Sequence, residues 1–211
     1  GTQQREMLRK GEKIPDWFTF PAVEAELKKS HKPMNQQGFC LYFVGLSGCG
    51  KSTIANFTIA KLNELTNRSI TYLDGDIVRL NLSQGLGFSP EDRSINVRRI
   101  GFVSSEVVKH GGVAVAANIA PFANDREFNK EKINENGHYI EIFVDTTIDD
   151  CEKRDVKGLY KLAREGVIKE FTGISSPFEK PENPNITLTG SSSIEENVDI
   201  VISYLKDNNL I

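Results

Sequence analysis

No apolar run in this 211-residue chain approaches the roughly 20 residues that a membrane-spanning helix needs. The longest is Phe39 to Val44, so no membrane partner is expected. The start of the chain lacks the charged segment and following apolar stretch of a secretory leader. Cysteine is scarce: Cys40, Cys49 and Cys151 share no metal-ligand spacing and make no disulfide framework, which points to a reducing compartment, the cytoplasm. Positive charge is not in excess, with 26 Lys+Arg against 29 Asp+Glu and a net charge of −3. A general nucleic-acid binder is usually basic, so no nucleic-acid partner is expected. There is no internal repeat and no long low-complexity stretch. What remains is a hydrophobic share of 38%, modest but enough for one layered core at this length.

Two regions follow. Residues 1–37 form a polar, helix-prone arm broken by Gly11, Pro15 and Pro21, with a linker from His31 that carries Pro33, Asn35 and two glutamines. Residues 38–211 form the compact domain. Phe39 to Val44, ended by glycine, reads as a strand buried on both faces. Lys51 to Leu65 has helical spacing. Ser69 to Leu73, Val113 to Ile119, Tyr139 to Val144 and Ile186 to Leu188 read as four further strands, and Asp92 to His110 as a long helix. The last helix, Ile194 to Leu205, carries its apolar residues on one stripe and is preceded by a Ser193/Glu196 capping box. Alternating strands and helices predict an α/β three-layer sandwich with a mostly parallel five-stranded sheet. Ligands in such folds bind beyond the carboxyl ends of the strands.

Gly45-Leu-Ser47-Gly48-Cys49-Gly50-Lys51-Ser52 fits G-x-x-x-x-G-K-[ST] and lies between the first strand and the first domain helix. Glycines there permit positive φ and close backbone approach, so that main-chain N–H groups can face phosphate oxygens. The helix N-terminus adds partial positive charge. Lys51 is suited to the β- and γ-phosphates of ATP, and the Ser52 hydroxyl to Mg²⁺. At a glycine background of about 7%, a chance match in a chain this long is on the order of one in a hundred. The cradle predicts a P-loop NTPase-type domain without naming its reaction. A signalling GTPase needs N-K-x-D, and Asn129-Lys130-Glu131-Lys132 lacks the aspartate.

Asp74-Gly75-Asp76 directly follows the second strand. One carboxylate there can accept or orient an acceptor hydroxyl, and either can support Mg²⁺; the same tripeptide also fits a solvated Asp-Gly turn. Downstream lie Arg79, Phe88 on a glycine-containing loop, then Arg93, Asn96 and Arg99 at three-residue spacing on one helix. Guanidinium groups match phosphate and sulfate oxygens, and Phe88 is placed to stack on a base; a solvated helix face with one core aromatic fits equally. Arg154, Lys157, Lys161, Arg164 and Lys169, interspersed with glycines, read as a mobile lid or as an ordinary charged amphipathic helix.

Gly45 to Thr53, Leu73-Asp-Gly-Asp76, Arg79, Gly85-Leu-Gly-Phe88, Asp92-Arg93, Asn96-Val-Arg-Arg99, Cys151 to Tyr160 and Phe171-Thr-Gly-Ile174 together closely resemble the adenylyl-sulfate kinases. The resemblance implies transfer of the ATP γ-phosphate to the 3′-hydroxyl of adenosine 5′-phosphosulfate, giving ADP and 3′-phosphoadenosine 5′-phosphosulfate. It implies Asp76 as the base or hydroxyl-orienting group, supported by Asp74. Arg79, Arg93 and Asn96 would hold phosphosulfate and ribose, and Phe88 and Phe171 would bracket the acceptor adenine. Ile119 would line that pocket, Lys157 would contact the acceptor, and Arg154 would lie near the ATP adenine. A homodimer is also implied. The chain departs from the family pattern at Ile77, Ile95 and Ala120, where Asn, Glu and Ser are usual, so no phosphoserine role is open to Ala120.

Residues 1–27 resemble the end of the ATP sulfurylase catalytic region, which makes the chain similar to the C-terminal piece of a sulfurylase–kinase fusion. Trp17 and Phe18 are expected to pack onto something. Cys49, at a helix N-terminus, is either a thiol that ATP protects from alkylation or simply a small residue that fits. Two rivals share the cradle: another P-loop kinase, of a nucleoside monophosphate or a sugar, and a regulatory module that binds nucleotide without transfer.

Overall fold

The structure, a computed structural model, describes residues 7, 12, 14, 15, 17, 19–30 and 33–211. Much of the predicted 1–37 arm, including Phe18, lies outside them. Ile14 is buried, with its N–H donating to Glu24 at 3.3 Å. Glu24 lies on helix α1 (Pro21–Ser30).

β1 (Phe39–Val44), β2 (Ile70–Asp74), β3 (Val113–Asn118), β4 (His138–Asp145) and β5 (Ile186–Thr189) form one sheet of order β2-β3-β1-β4-β5. The expectation was a mostly parallel sheet; every pairing among these strands is parallel. Every residue of β1 and β3 is buried, as continuous apolar runs in central parallel strands require. On the edge, β5 alternates buried and exposed residues.

Two helical layers cover the faces. α2 (Lys51–Leu65) and α8 (Ile194–Asp207) pack with Leu41, Phe43, Val115 and Ile142. α4 (Pro90–Lys109) and α5 (Ala123–Asn134) cover the opposite face with Tyr42, Ala116, Ile100 and Ile133. Each large apolar side chain buried this way contributes about 1.5–3 kcal/mol. α3 (Gly75–Leu80) follows β2, and α6 (Ile148–Arg154) and α7 (Leu159–Arg164) follow β4.

Strand starts shift by one residue from the sequence reading, to Ile70 and His138, and two helix starts follow from caps. α4 begins two residues earlier, because Ser89 caps it by accepting from the Asp92 N–H at 3.2 Å and Pro90 opens the first turn. Asp74-Gly75 is no solvated turn. The Asp74 carboxylate accepts from the Asp76 N–H at 2.9 Å and caps α3, so the strand runs straight into a helix.

The expected capping box is present: Glu196 N–H donates to Ser193 Oγ at 3.1 Å, and Ser193 N–H donates to Glu196 Oε2 at 2.9 Å. Ser193→Ala is expected to destabilise the domain by about 1 kcal/mol, read as a lower urea midpoint with an unchanged m-value.

Candidate active site

Register places the site. Val44 pairs with Asn118 on one side and Phe143 on the other, and Asp74 pairs with Ala117. The carboxyl ends of β1, β2 and β3 therefore finish level, and the loops leaving them open into one cleft of about 470 Å³.

Gly45 to Gly50 form the first wall. Gly50 has φ of 107° where α2 begins, a conformation that disfavours any side chain. A Cβ on Gly45 would lie 2.9 Å from the Val144 carbonyl oxygen, so only glycine lets the loop leave β1 this way. Ser47, Gly48, Gly50, Lys51, Ser52 and Thr53 line the cleft. Lys51 Nζ donates to the carbonyls of Gly45 and Leu46 at 2.9 and 2.7 Å, which holds the ammonium against the loop. Cys49 Sγ also accepts from Lys51 Nζ, at 3.6 Å, but Cys49 does not line the cleft. Its side chain is 1% exposed and packs in the core with Ile54 and Cys151, so the structure favours a small residue that fits over a reactive thiol.

The carboxylate pair forms the second wall, and its members differ. Asp74 Oδ2 accepts from Ser52 Oγ at 2.8 Å and from the Tyr72 hydroxyl at 3.1 Å, while Oδ1 serves the Asp76 N–H. Burial pushes the Asp74 carboxyl up, but the hydrogen bonds from Ser52, Asp76 and Tyr72 outweigh it and hold the group below its ordinary value. Burial raises the Tyr72 hydroxyl to about 12, so it stays a donor. Asp76 projects into the cleft from the first turn of α3 and pairs with Lys157 of the segment joining α6 and α7.

The third wall is cationic and aromatic. Arg79 donates to the Gly87 carbonyl at 2.7 Å, and its guanidinium lies 4.6 Å from the centroid of the Phe88 ring. Arg93 donates to the Phe88 carbonyl at 2.8 Å, and to the Glu170 carbonyl and the Thr172 hydroxyl. Burial lowers both guanidinium pKa values, and Arg79 adds to the effect on Arg93. Asn96, Ile119 and Phe171 complete the lining, with Phe171 edge-on to Tyr160 at 4.9 Å. Arg99 is not part of it; it turns to the Leu82 carbonyl at 2.8 Å.

Of the five lid cations, Lys157 alone lines the cleft. Arg164 grips Glu152 with two hydrogen bonds of 3.0 and 2.8 Å, and Arg154 donates to the Gly190 carbonyl at 2.7 Å outside the cleft lining. That segment is tied to the cradle by the Tyr160 hydroxyl, which donates to the Ser47 carbonyl at 2.8 Å. Sequence reasoning missed Tyr72 and Asn118. Tyr72 is two residues before Asp74, hence on the same face of β2, a signal that strand periodicity carries. Asn118 ends an apolar strand at the cleft, where a polar residue stands out.

The adenylylsulphate kinase family model matches residues 37–189. The chain belongs to the adenylylsulphate kinase family. It is 46% identical to the adenylyl-sulfate kinase of Staphylococcus epidermidis, an alignment that covers 92% of this chain and 97% of that protein. It is 41% identical along its whole length to the sulfate adenylyltransferase of Chaetomium globosum, of which it spans 37%. The solved Mycobacterium tuberculosis APS kinase in complex with AMPPNP and APS superposes with a TM-score of 0.77 at 40% identity, over 81% of this chain and 98% of that one. The hexameric APS kinase of Thiobacillus denitrificans superposes with a TM-score of 0.81 at 38% identity, over the whole of this chain and 37% of that one.

The departures from the family pattern now have places. Ile77 and Ile95 are exposed and do not line the cleft. Ala120 does line it, with its side chain buried, φ of 42° and its carbonyl held by the buried Arg126 at 2.8 Å.

Because the folded-state pKa of Asp74 is depressed, its ionisation contributes stability above its unfolded value, about 3.9, that is lost as pH falls through the lower folded value. Asn is itself a good helix cap, so Asp74→Asn isolates the charge. Urea unfolding is expected to show Asp74→Asn less stable than the wild type at pH 7, with the gap closing as pH falls below the ordinary carboxylate range.

Proposed function

We propose that this chain transfers the γ-phosphate of ATP to the 3′-hydroxyl of adenosine 5′-phosphosulfate. The observation that carries this is the single cleft with the phosphate cradle on one wall and Asp76, Arg79 and Arg93 on the facing walls. A nucleoside triphosphate laid on the Gly45–Ser52 loop points its terminal phosphate toward the carboxylate wall. The complex of the Mycobacterium tuberculosis relative with AMPPNP and APS supports the same two ligands here.

In this reading Lys51 leaves the loop carbonyls for the β- and γ-phosphates. Asp76 orients the 3′-hydroxyl and takes its proton, while Lys157 moves from Asp76 to the acceptor. Arg79, Arg93 and Asn96 hold the phosphosulfate and ribose, and Phe88 and Phe171 bracket the adenine. Ile119 lines the acceptor pocket and Arg154 lies toward the ATP adenine. Ser52 and Asp74 suit Mg²⁺: a hydroxyl 2.8 Å from an ionised carboxylate is a pair of hard oxygen donors. Mg²⁺ keeps much of its shell as water and substrate phosphate oxygens, so two protein oxygens suffice. Such an ion neutralises charge developing on the transferred phosphoryl group.

The organisation belongs to the proposal too: a kinase domain from residue 38 onward, joined to sulfurylase sequence in the full-length protein and assembled as a homodimer. The relatives named sulfate adenylyltransferase, nearly three times as long as this chain, support the fusion. Trp17, Phe20 and Val23, exposed apolar residues of the arm, support an assembly contact. No helix among the described residues is long and apolar enough to cross a membrane, which fits a cytoplasmic enzyme.

A coupled ADP-release assay with ATP and adenosine 5′-phosphosulfate tests the activity; a preference for a nucleoside monophosphate or a sugar would overturn it. Asp76→Asn is expected to lower kcat by about 10²- to 10⁴-fold while acceptor binding stays measurable by calorimetry. Lys51→Ala is expected to lose about 10²- to 10³-fold in turnover.

A further inference from the structure

Beneath the cleft, on the face covered by α4 and α5, a hydrogen-bonded polar chain crosses the core. The Tyr42 hydroxyl, on β1, accepts from Asn118 Nδ2 at 2.9 Å and from Asn129 Nδ2 at 3.0 Å. Asn129, on α5, also donates to the Val97 carbonyl of α4 at 3.0 Å. Tyr42 and Asn129 are fully buried, and Asn118 is 7% exposed. Val44, Val97, Ile100, Ala116 and Ile133 are apolar neighbours on this face, and Cys40 and the buried Asp125 also lie near the Tyr42 hydroxyl. In these bonds the Tyr42 hydroxyl only accepts, and its own O–H is free to donate to an amide oxygen of this group.

Gly101 admits the chain. A Cβ there would lie 1.9 Å from Asn129 Oδ1, so α5 approaches α4 closely only because residue 101 has no side chain. The four residues join the end of β3, the central strand, α5 and α4. Val97 is adjacent to Asn96 and one helical turn beyond Arg93, two residues of the cleft lining. Asn118 is adjacent in space to Gly75, whose Cβ, if present, would be 3.0 Å from that of Asn118.

We infer that Tyr42, Asn118 and Asn129 are positioning residues that fix the acceptor-binding turn of α4 against the sheet. The inference rests on the kinase reading for the identity of the acceptor. Apolar packing alone leaves a helix free to slide or rotate slightly; directional hydrogen bonds between buried groups do not. The phosphate cradle runs from β1 into α2 on the opposite face of the sheet, whereas the strut's bond to the Val97 carbonyl reaches α4, so its larger effect falls on the acceptor half of the site.

Tyr42→Phe tests it, since the ring and its volume stay and the shared hydroxyl goes. KM for adenosine 5′-phosphosulfate is expected to rise about tenfold, with KM for ATP within about twofold of the wild type. Calorimetric Kd values for the acceptor and for a non-hydrolysable ATP analogue should divide the same way. A wild-type acceptor KM, or an equal loss for both ligands, overturns the inference. If Tyr42→Phe does not fold, Tyr42→Phe with Asn129→Leu replaces the polar hub by apolar volume. There a raised acceptor KM in a stable protein supports the strut, and a wild-type KM overturns it. A wild type that binds both ligands without transferring phosphate defeats the kinase reading alone, because the Kd comparison still reads the strut.

Discussion

The parallel ladder that sets Val44 beside Asn118 and Asp74 beside Ala117 is the constraint on which the site depends. Two loops of opposite chemistry, one rich in N–H donors and one in carboxylates, face each other because their strands stop at the same level. A slip of one residue would turn Tyr42 toward the α2 face and Phe43 toward α4, exchanging the two core sets. The continuous burial of β1 and β3 leaves such a slip no favourable alternative. Catalytic geometry in this molecule is thus inherited from packing at the centre of the sheet, with little of it left to loop conformation.

On that frame the two carboxylates take separate parts. Asp74 has three hydrogen-bond donors from its immediate surroundings, and its charge is already committed to Ser52, Tyr72 and the start of α3. Asp76 has one cationic partner, Lys157, carried by a segment that is otherwise held by Tyr160 and Arg164. Two similar groups acquire different surroundings from their neighbours: one is fixed in place, and the other, in the proposed reading, exchanges a lysine for a substrate hydroxyl.

Much of this was legible in the sequence, and the physical reasons are particular. The cradle could be read because its function lies in backbone conformation, which glycine spacing encodes locally. The central strands could be read because burial on both faces leaves an unbroken apolar run. Asp74-Gly75 was ambiguous because turn and helix start share the same residues, and only the position of the Asp76 N–H separates them. The partners of the lid cations could not be read: Arg164 and Arg154 bond to Glu152 and Gly190, residues 12 and 36 positions away, a separation no local pattern reveals. The Tyr42 strut joins residues 76 and 87 apart in the chain and was invisible for the same reason.

The arginines show how structure separates anion binding from scaffolding. Arg98 meets the Asp125 carboxylate at 2.8 Å and Arg164 meets Glu152; their charges are matched within the protein. Arg79 and Arg93 make no ion pair among the described residues and spend their donors on carbonyl and hydroxyl oxygens. Those neutral acceptors satisfy hydrogen bonding without cancelling charge. Both guanidinium groups are partly desolvated, and Arg79 disfavours the charge on Arg93, while Asp76 and Asp92 favour that on Arg79 and Glu170 that on Arg93. A ligand with one negative charge would relieve part of that repulsion; a phosphosulfate, with an anionic group for each arginine, relieves more. In the proposed reading, these two arginines suit a multiply charged acceptor before any base-stacking on Phe88 contributes.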